Sequence, residues 1–390
     1  MNRRVYLDHN ATAPLLDAAR DAMQAALLRP AGNPSSPHAF GHQSRMELER
    51  SRRDVAALFA AASHEVIFTS GGTEADNLAI QGSARAWTAA GRPPGHIIAS
   101  AVEHPAVMES CHYLETVGWR FTLLPVDGAG RVEPAELARA LSADTALVSI
   151  MAANNETGVL QPVAEIAALT RAAGVTLHVD AVQAAGRIVC NIKALGADLL
   201  TLSGHKIGGP KGAGALVKGG PLDLDPLVTG GGQERGERAG TENVASIAGF
   251  GAAAGAAEAD LADESTRMRG LRDRLETGLR DGTPDVVIFG ADAERLPNTT
   301  LLTVPGMKAE TAVILFDLEG VAVSSGAACS SGKVQPSHVL EAMGVSPQLA
   351  RGAVRVSLGP TTTQDDIERF LTAWITVSGA LLEKSRGMAA

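Results

Sequence analysis

From about residue 64 to 217, short apolar runs alternate with longer stretches of helical spacing. The runs are 65–69, 96–100, 146–150, 175–179, 198–202 and 214–217, rich in Val, Ile, Leu and Ala. Continuous apolar runs of this length suit strands buried on both faces, as in a parallel sheet under helices. The pattern predicts an α/β layer architecture with a mostly parallel sheet. After about residue 260 the style changes. A charged helical pattern over 263–280 precedes apolar runs at 286–289 and 299–304, a helix over 309–319, a further run at 355–358 and a final helix from Gln364. This reads as a smaller α+β unit. The chain is therefore expected to divide into a large domain over residues 16–259 and a small domain made of 1–15 and 260–390.

Composition narrows the class. At 390 residues, with 45% hydrophobic and 20% charged positions, the chain is long enough for a substantial core and too apolar for disorder. Only 3% is aromatic, so packing must rest on aliphatic side chains. The net charge is −9 without a dense basic run, which argues against nucleic-acid binding. No apolar stretch follows Arg3 and Arg4, and the most apolar segment, 244–257, is too short to span a bilayer. Three widely spaced cysteines, Cys111, Cys190 and Cys329, form neither a disulfide framework nor a zinc pattern. A cytoplasmic protein with no membrane partner is the expectation.

In open α/β sheets, ligands bind beyond the carboxyl ends of the strands. There the sequence carries Ser70-Gly71-Gly72-Thr73-Glu74, then Glu103-His104, Asn154-Asn155-Glu156, Asp180 with Gln183, and Ser203-Gly204-His205-Lys206. Taken singly, each has an ordinary explanation: a helix cap, a satisfied histidine, a surface lysine. Five in succession at one edge of one sheet favour a site. The chain has seven lysines, none before Lys193, and Lys206 follows a buried run. Such a lysine can lose its proton by desolvation and bond covalently to an aldehyde. An aspartate at a neighbouring strand end and a glycine-rich helix start complete what pyridoxal phosphate requires.

On these residues the chain resembles the pyridoxal-phosphate-dependent cysteine desulfurases, in the class V group of aminotransferases. The likeness runs almost end to end. It also takes in 6–12, 33–36, 230–235, 240–243, 324–329 and 355–359. It implies a fold-type-I PLP transferase, with a large PLP-binding domain and a small C-terminal domain carrying a catalytic cysteine loop. It implies that Lys206 holds the cofactor and moves the Cα proton. Asp180 would pair with the pyridine nitrogen, Gln183 with the phenolic oxygen, and His104 would stack on the ring and shuttle protons as a catalytic residue. Gly72, Thr73, Ser203 and His205 would bind the phosphate. Asn155 would lie at the ring edge, with Asn154 leaving that assignment open by one residue. Thr241 resembles a residue that reaches the partner subunit's phosphate, which implies a homodimer. Arg355 would hold the substrate carboxylate, and Asn10 and Asn33 would shape the substrate pocket.

Cys329 sits among Ser, Gly and Ala, a segment with little to bury, as an accessible thiol needs. Cys111 and Cys190 read as small buried hydrophobes. The resemblance implies that Cys329 takes sulfur from L-cysteine as a persulfide, leaving L-alanine. It would pass the sulfur to an iron–sulfur scaffold or another acceptor protein for cluster assembly. Cys329 would then be the one metal-binding position, through a transient iron contact. The spacing from Cys329 to Pro336-Ser337-His338 resembles the branch with the longer catalytic loop. The alternative is a selenocysteine lyase or another class V enzyme, none of which needs a persulfide.

Overall fold

The computed structural model describes residues 4–326, 329–330, 333–334 and 337–387, with side chains given for all of these but 329–330, 333–334 and 382–387. A two-residue strand, β1 (Val5–Tyr6), opens the chain. A seven-stranded sheet follows, built from β2 (Val66–Thr69), β3 (His96–Ser100), β4 (Arg120–Leu124), β5 (Thr145–Met151), β6 (Thr176–Asp180), β7 (Leu199–Ser203) and β8 (Gly214–Lys218). Its order is β2-β8-β7-β6-β5-β3-β4. Every residue of β2, β3, β5 and β7 is buried, which is why their apolar runs show no alternation.

Two features depart from a simple alternation of strand and helix. The segment between β7 and β8 carries no crossover helix, and a parallel return needs a dozen or more residues. The strand β8 accordingly runs antiparallel to both β7 and β2, while the β4-β3-β5-β6-β7 run is parallel. The strand β4 is absent from the sequence reading because it is an edge strand with only one buried residue, Leu124.

Helices cover both faces. On one, Asp17–Leu27, Ala39–Leu58 and Val244–Ala259 pack together. Their close approach depends on small residues: a Cβ on Gly251 would stand 2.6 Å from the Ser51 Cα. On the other, Pro105–Thr116 buries Val107, Cys111 and Leu114 with Ile97 and Trp119.

A second core lies after residue 260. The strands β9 (Val287–Ile288) and β10 (Thr299–Thr303) precede β11 (Val321–Ala322) and β12 (Ser324–Ser325). After β13 (Cys329–Ser330) and β14 (Lys333–Val334) comes β15 (Val354–Ser357). A four-stranded sheet has the order β12-β15-β10-β9, and β1 pairs in parallel with β11. Phe316, Phe370 and Trp374 stack in its core, which also takes in Val5 and Leu7 from the chain start. The segments β13 and β14 form a small antiparallel pair. The side chain of Cys329 lies outside the described residues, as do Ala327, Ala328, Ser331, Gly332 and Pro336. Among the described residues no helix is long and apolar enough to cross a membrane.

Candidate active site

The carboxyl ends of β2, β5, β6 and β7 and the loop after β3 surround a cavity of ≈ 600 Å³. Gly72, Thr73, His104, Asn155, Asp180, Gln183, Ser203, His205 and Lys206 line it. Other expected residues stand elsewhere. Asn10 lies behind the wall and Arg355 in the second sheet, while Asn33 and Thr241 are exposed away from the cavity.

Lys206 ends the short turn Gly204–Lys206 that follows β7. Its Nζ donates to the backbone oxygens of Asn10 (2.5 Å) and Ala11 (3.0 Å). Burial first, then the charges of Arg355 and Arg187, bring its pKa down to about 7, against the opposing pull of Asp180 and Asp8. A substantial share of this amine is therefore neutral near pH 7, as a nucleophile requires.

Asp180 ends β6 and is buried. Its Oδ1 accepts the Val182 N–H at 2.9 Å, and it forms no ion pair among the described residues. Burial raises its pKa. Beside it Asp76 is raised further, by burial and then by the charge of Asp180. A buried carboxylate that faces a cavity and has no ion pair among the described residues fits a ligand that brings a positively charged N–H.

On the opposite wall, Gly72 begins a helical path that runs through Ala89 and widens over Leu78–Gly82. Its free N–H groups, with Thr73 and the Ser203 and His205 side chains, form a cradle for an anion. The cradle needs glycine across from it. A Cβ on Gly214 would come within 2.5 Å of the Gly71 carbonyl carbon. Glu74 braces the loop by accepting the Ser70 N–H (2.9 Å) while pairing with Arg238 (2.8 Å).

His104 caps the helix Pro105–Thr116, its Nδ1 accepting the Ala106 N–H at 3.1 Å. Desolvation, then the charge of Lys206, hold it near 4, so its ring is neutral at physiological pH. The neighbouring asparagines divide by role. Asn154 is buried, with its Oδ1 taken by the Glu156 and Thr157 N–H groups and its Nδ2 donated to Val102. Asn155 faces the cavity. Gln183 donates Nε2 to the Asn10 oxygen at 3.0 Å.

Arg355 reaches the site through its partners. Its Nη1 donates to the Asn155 oxygen (3.0 Å) and its Nη2 to Asp8 Oδ1 (2.8 Å), while its buried Nε has no partner among the described residues. Asn33 accepts the Ser35 N–H in a local turn. Cys111 and Cys190 are buried, and burial keeps both thiols protonated, with pKa values well above the ordinary range. Among the described residues no three His, Cys, Asp or Glu side chains gather as a metal site.

Two contributors escaped the sequence reading. Asp76 follows Thr73 by three positions and Arg187 follows Gln183 by four, spacings that put side chains on one face of a turn. Lys211, the rival to Lys206 as the cofactor lysine, lines the same cavity.

Residues 5–370 match the family model of the class-V aminotransferases. The chain is 45% identical over 371 residues to the cysteine desulfurase IscS of Dictyoglomus turgidum, covering 95% of this chain and 93% of the relative. Among solved structures it is similar to a NifS-like protein, with a TM-score of 0.90, 34% identity, and coverage of 97% of this chain and 100% of the other. It is also similar to SspA in complex with cysteine, with a TM-score of 0.80 and 29% identity over 92% of this chain and 100% of that one.

Proposed function

The chain belongs to the class-V aminotransferase family, and we propose that the cavity around Lys206 is the site at which it acts as an L-cysteine desulfurase. The enzyme uses pyridoxal phosphate, removes sulfur from L-cysteine to give L-alanine and a persulfide, and serves iron–sulfur cluster assembly. The observation that carries the site is the desolvated amine of Lys206 across one cavity from the buried Asp180 carboxylate.

Lys206 would hold the cofactor, Asp180 its ring nitrogen and Gln183 its phenolic oxygen. Gly72, Thr73, Ser203 and His205 would take the phosphate, and Asn155 and His104 would frame the ring. Once bound, pyridoxal phosphate supplies an electron sink for negative charge developing at the substrate Cα. The remaining steps belong to the protein. Arg355 exchanges Asp8 for the substrate carboxylate, and the Asn10 backbone oxygen holds the Lys206 amine from behind. The Lys206 nitrogen takes the Cα proton. The Cys329 thiolate attacks the substrate sulfur, forming an S–S bond as the C–S bond breaks. The bonding pair returns to the substrate Cβ, which is protonated as alanine forms.

The enzyme is proposed to work as a homodimer in which the partner's copy of Thr241 reaches the phosphate. The exposure of Thr241 supports this reading, as does the buried Arg52–Glu234 pair (2.6 and 2.8 Å), which anchors the segment 234–241 at its start. The small domain, 1–15 with 260–390, is proposed to carry Cys329 to the cavity of the large domain, 16–259. An acceptor protein, such as an iron–sulfur scaffold, would then take the sulfur, with Cys329 briefly beside iron.

Reduction of the cofactor-loaded protein with borohydride, followed by peptide mapping, tests the site. The label is expected on Lys206. A label on Lys211, which lines the same cavity, overturns the assignment.

A further inference from the structure

Arg187 is buried, and among the described residues its guanidinium pairs with no carboxylate. Its Nη1 donates instead to two atoms of one residue, the Gln183 backbone oxygen (2.6 Å) and Oε1 (2.7 Å). An arginine has donors only, so the Gln183 amide must turn its oxygen toward Arg187 and its Nε2 away. That Nε2 donates to the Asn10 oxygen at 3.0 Å, and the same oxygen receives the Lys206 Nζ at 2.5 Å. A guanidinium, an amide, a carbonyl and an amine thus form one continuous run.

The charges around the amine are unevenly matched. Arg355 and Arg187 face Lys206 with positive charge, the rings of His104 and His205 border it, and Asp180 and Asp8 oppose them. Arg355 has Asp8 as a partner; among the described residues Arg187 has no carboxylate partner. His9 lies buried nearby with both ring nitrogens unpartnered among the described residues, and its pKa falls to about 4 through burial and then the charge of Arg187. The unpaired guanidinium therefore acts on the groups around it.

We propose that Arg187 is a positioning residue for Lys206: it locks the Gln183 amide so that only N–H faces the Asn10 carbonyl and the cavity, and it sets a positive charge without a carboxylate partner at the head of the hydrogen-bonded run that ends on the Lys206 nitrogen. The proposal rests on the assignment of the cofactor to Lys206. It gives the arginine four positions after Gln183 a function in the chemistry, although it does not touch the reacting atoms.

The test compares Arg187→Met, Arg187→Gln and Arg187→Lys with the parent as cofactor-loaded proteins. The readout is the pH midpoint of the bound cofactor's visible absorbance, which follows the protonation of the attached nitrogen. Lysine keeps the charge and can donate to both Gln183 oxygens, so its midpoint is expected to match the parent. The two neutral variants are expected to raise the midpoint by about one pH unit, in the range a single nearby charge produces. Arg187→Gln retains a polar group and carries the test if the methionine variant does not fold. A merely structural role would lower cofactor occupancy or thermal stability without moving the midpoint. An unchanged midpoint in a neutral variant loaded at Lys206 overturns the proposal. Borohydride labelling of the parent away from Lys206 would instead overturn the site assignment on which it rests.

Discussion

Lys206 shows how position changes the chemistry of a residue. In water a lysine amine is a cation at neutral pH, whereas here burial and two arginines bring its pKa to about 7. The sign follows directly. Above about pH 7 the amine is mostly neutral and has a lone pair to offer; below it the proton occupies that lone pair. Capture of pyridoxal phosphate by the cofactor-free protein is therefore expected to slow as pH falls through about 7. Stopped-flow absorbance would measure it, and a midpoint near the ordinary lysine value would show that the cavity does not depress the amine. The importance of Lys206 was legible because lysine is scarce and this one follows a buried strand. The contribution of Arg187 was not, because its partners are the side-chain and backbone oxygens of Gln183 and its effect depends on having no counter-ion. Arg355 was legible only through family likeness: its contacts with Asp8 and Asn155 join residues some 200 positions or more apart.

At the scale of elements, the sheet works by bringing strand ends to one edge. The apolar runs announced β2, β3 and β5 through β8 because both faces of these strands are largely covered. The edge strand β4 gave no such signal, since most of its side chains are not buried. The reversal between β7 and β8 is a matter of length, and it has a consequence for the site. It sets Gly214 opposite Thr69 and beside the Gly71 backbone, with no room for a side chain. Gly214→Ala is expected to push the Gly71–Gly72 loop away from its place. Overpacking of this kind costs roughly 1–3 kcal/mol. If about half of that falls on the bound state, cofactor affinity drops by about two- to ten-fold. Equilibrium dialysis with pyridoxal phosphate would check this; full affinity in a folded variant would mean that the loop position does not govern binding.

At the scale of the whole molecule, one cavity edge is built by a single chain, while family likeness implies two further contributors, Thr241 and Cys329. Thr241 is exposed and outside the lining, as a residue donated to a partner would be. Subunit exchange between equal amounts of a Lys206→Ala and a Thr241→Ala protein is expected to restore cofactor binding at about a quarter of all sites, one of the two in each hybrid dimer. The hybrid dimer would contain one site with both residues intact. No recovery after subunit exchange, measured by absorbance and sedimentation, would refute shared sites. The other contributor is Cys329, on which the central claim depends. The most direct test is to mix the cofactor-loaded protein with L-cysteine under non-reducing conditions, stop the reaction within one turnover, and map the peptides by mass. The expected result is one added sulfur atom on Cys329, an equal amount of alanine, and a Cys329→Ala protein that binds cofactor and L-cysteine but releases no alanine. Sulfur mapped to Cys111 or Cys190, or alanine released by Cys329→Ala at the parent rate, would contradict it.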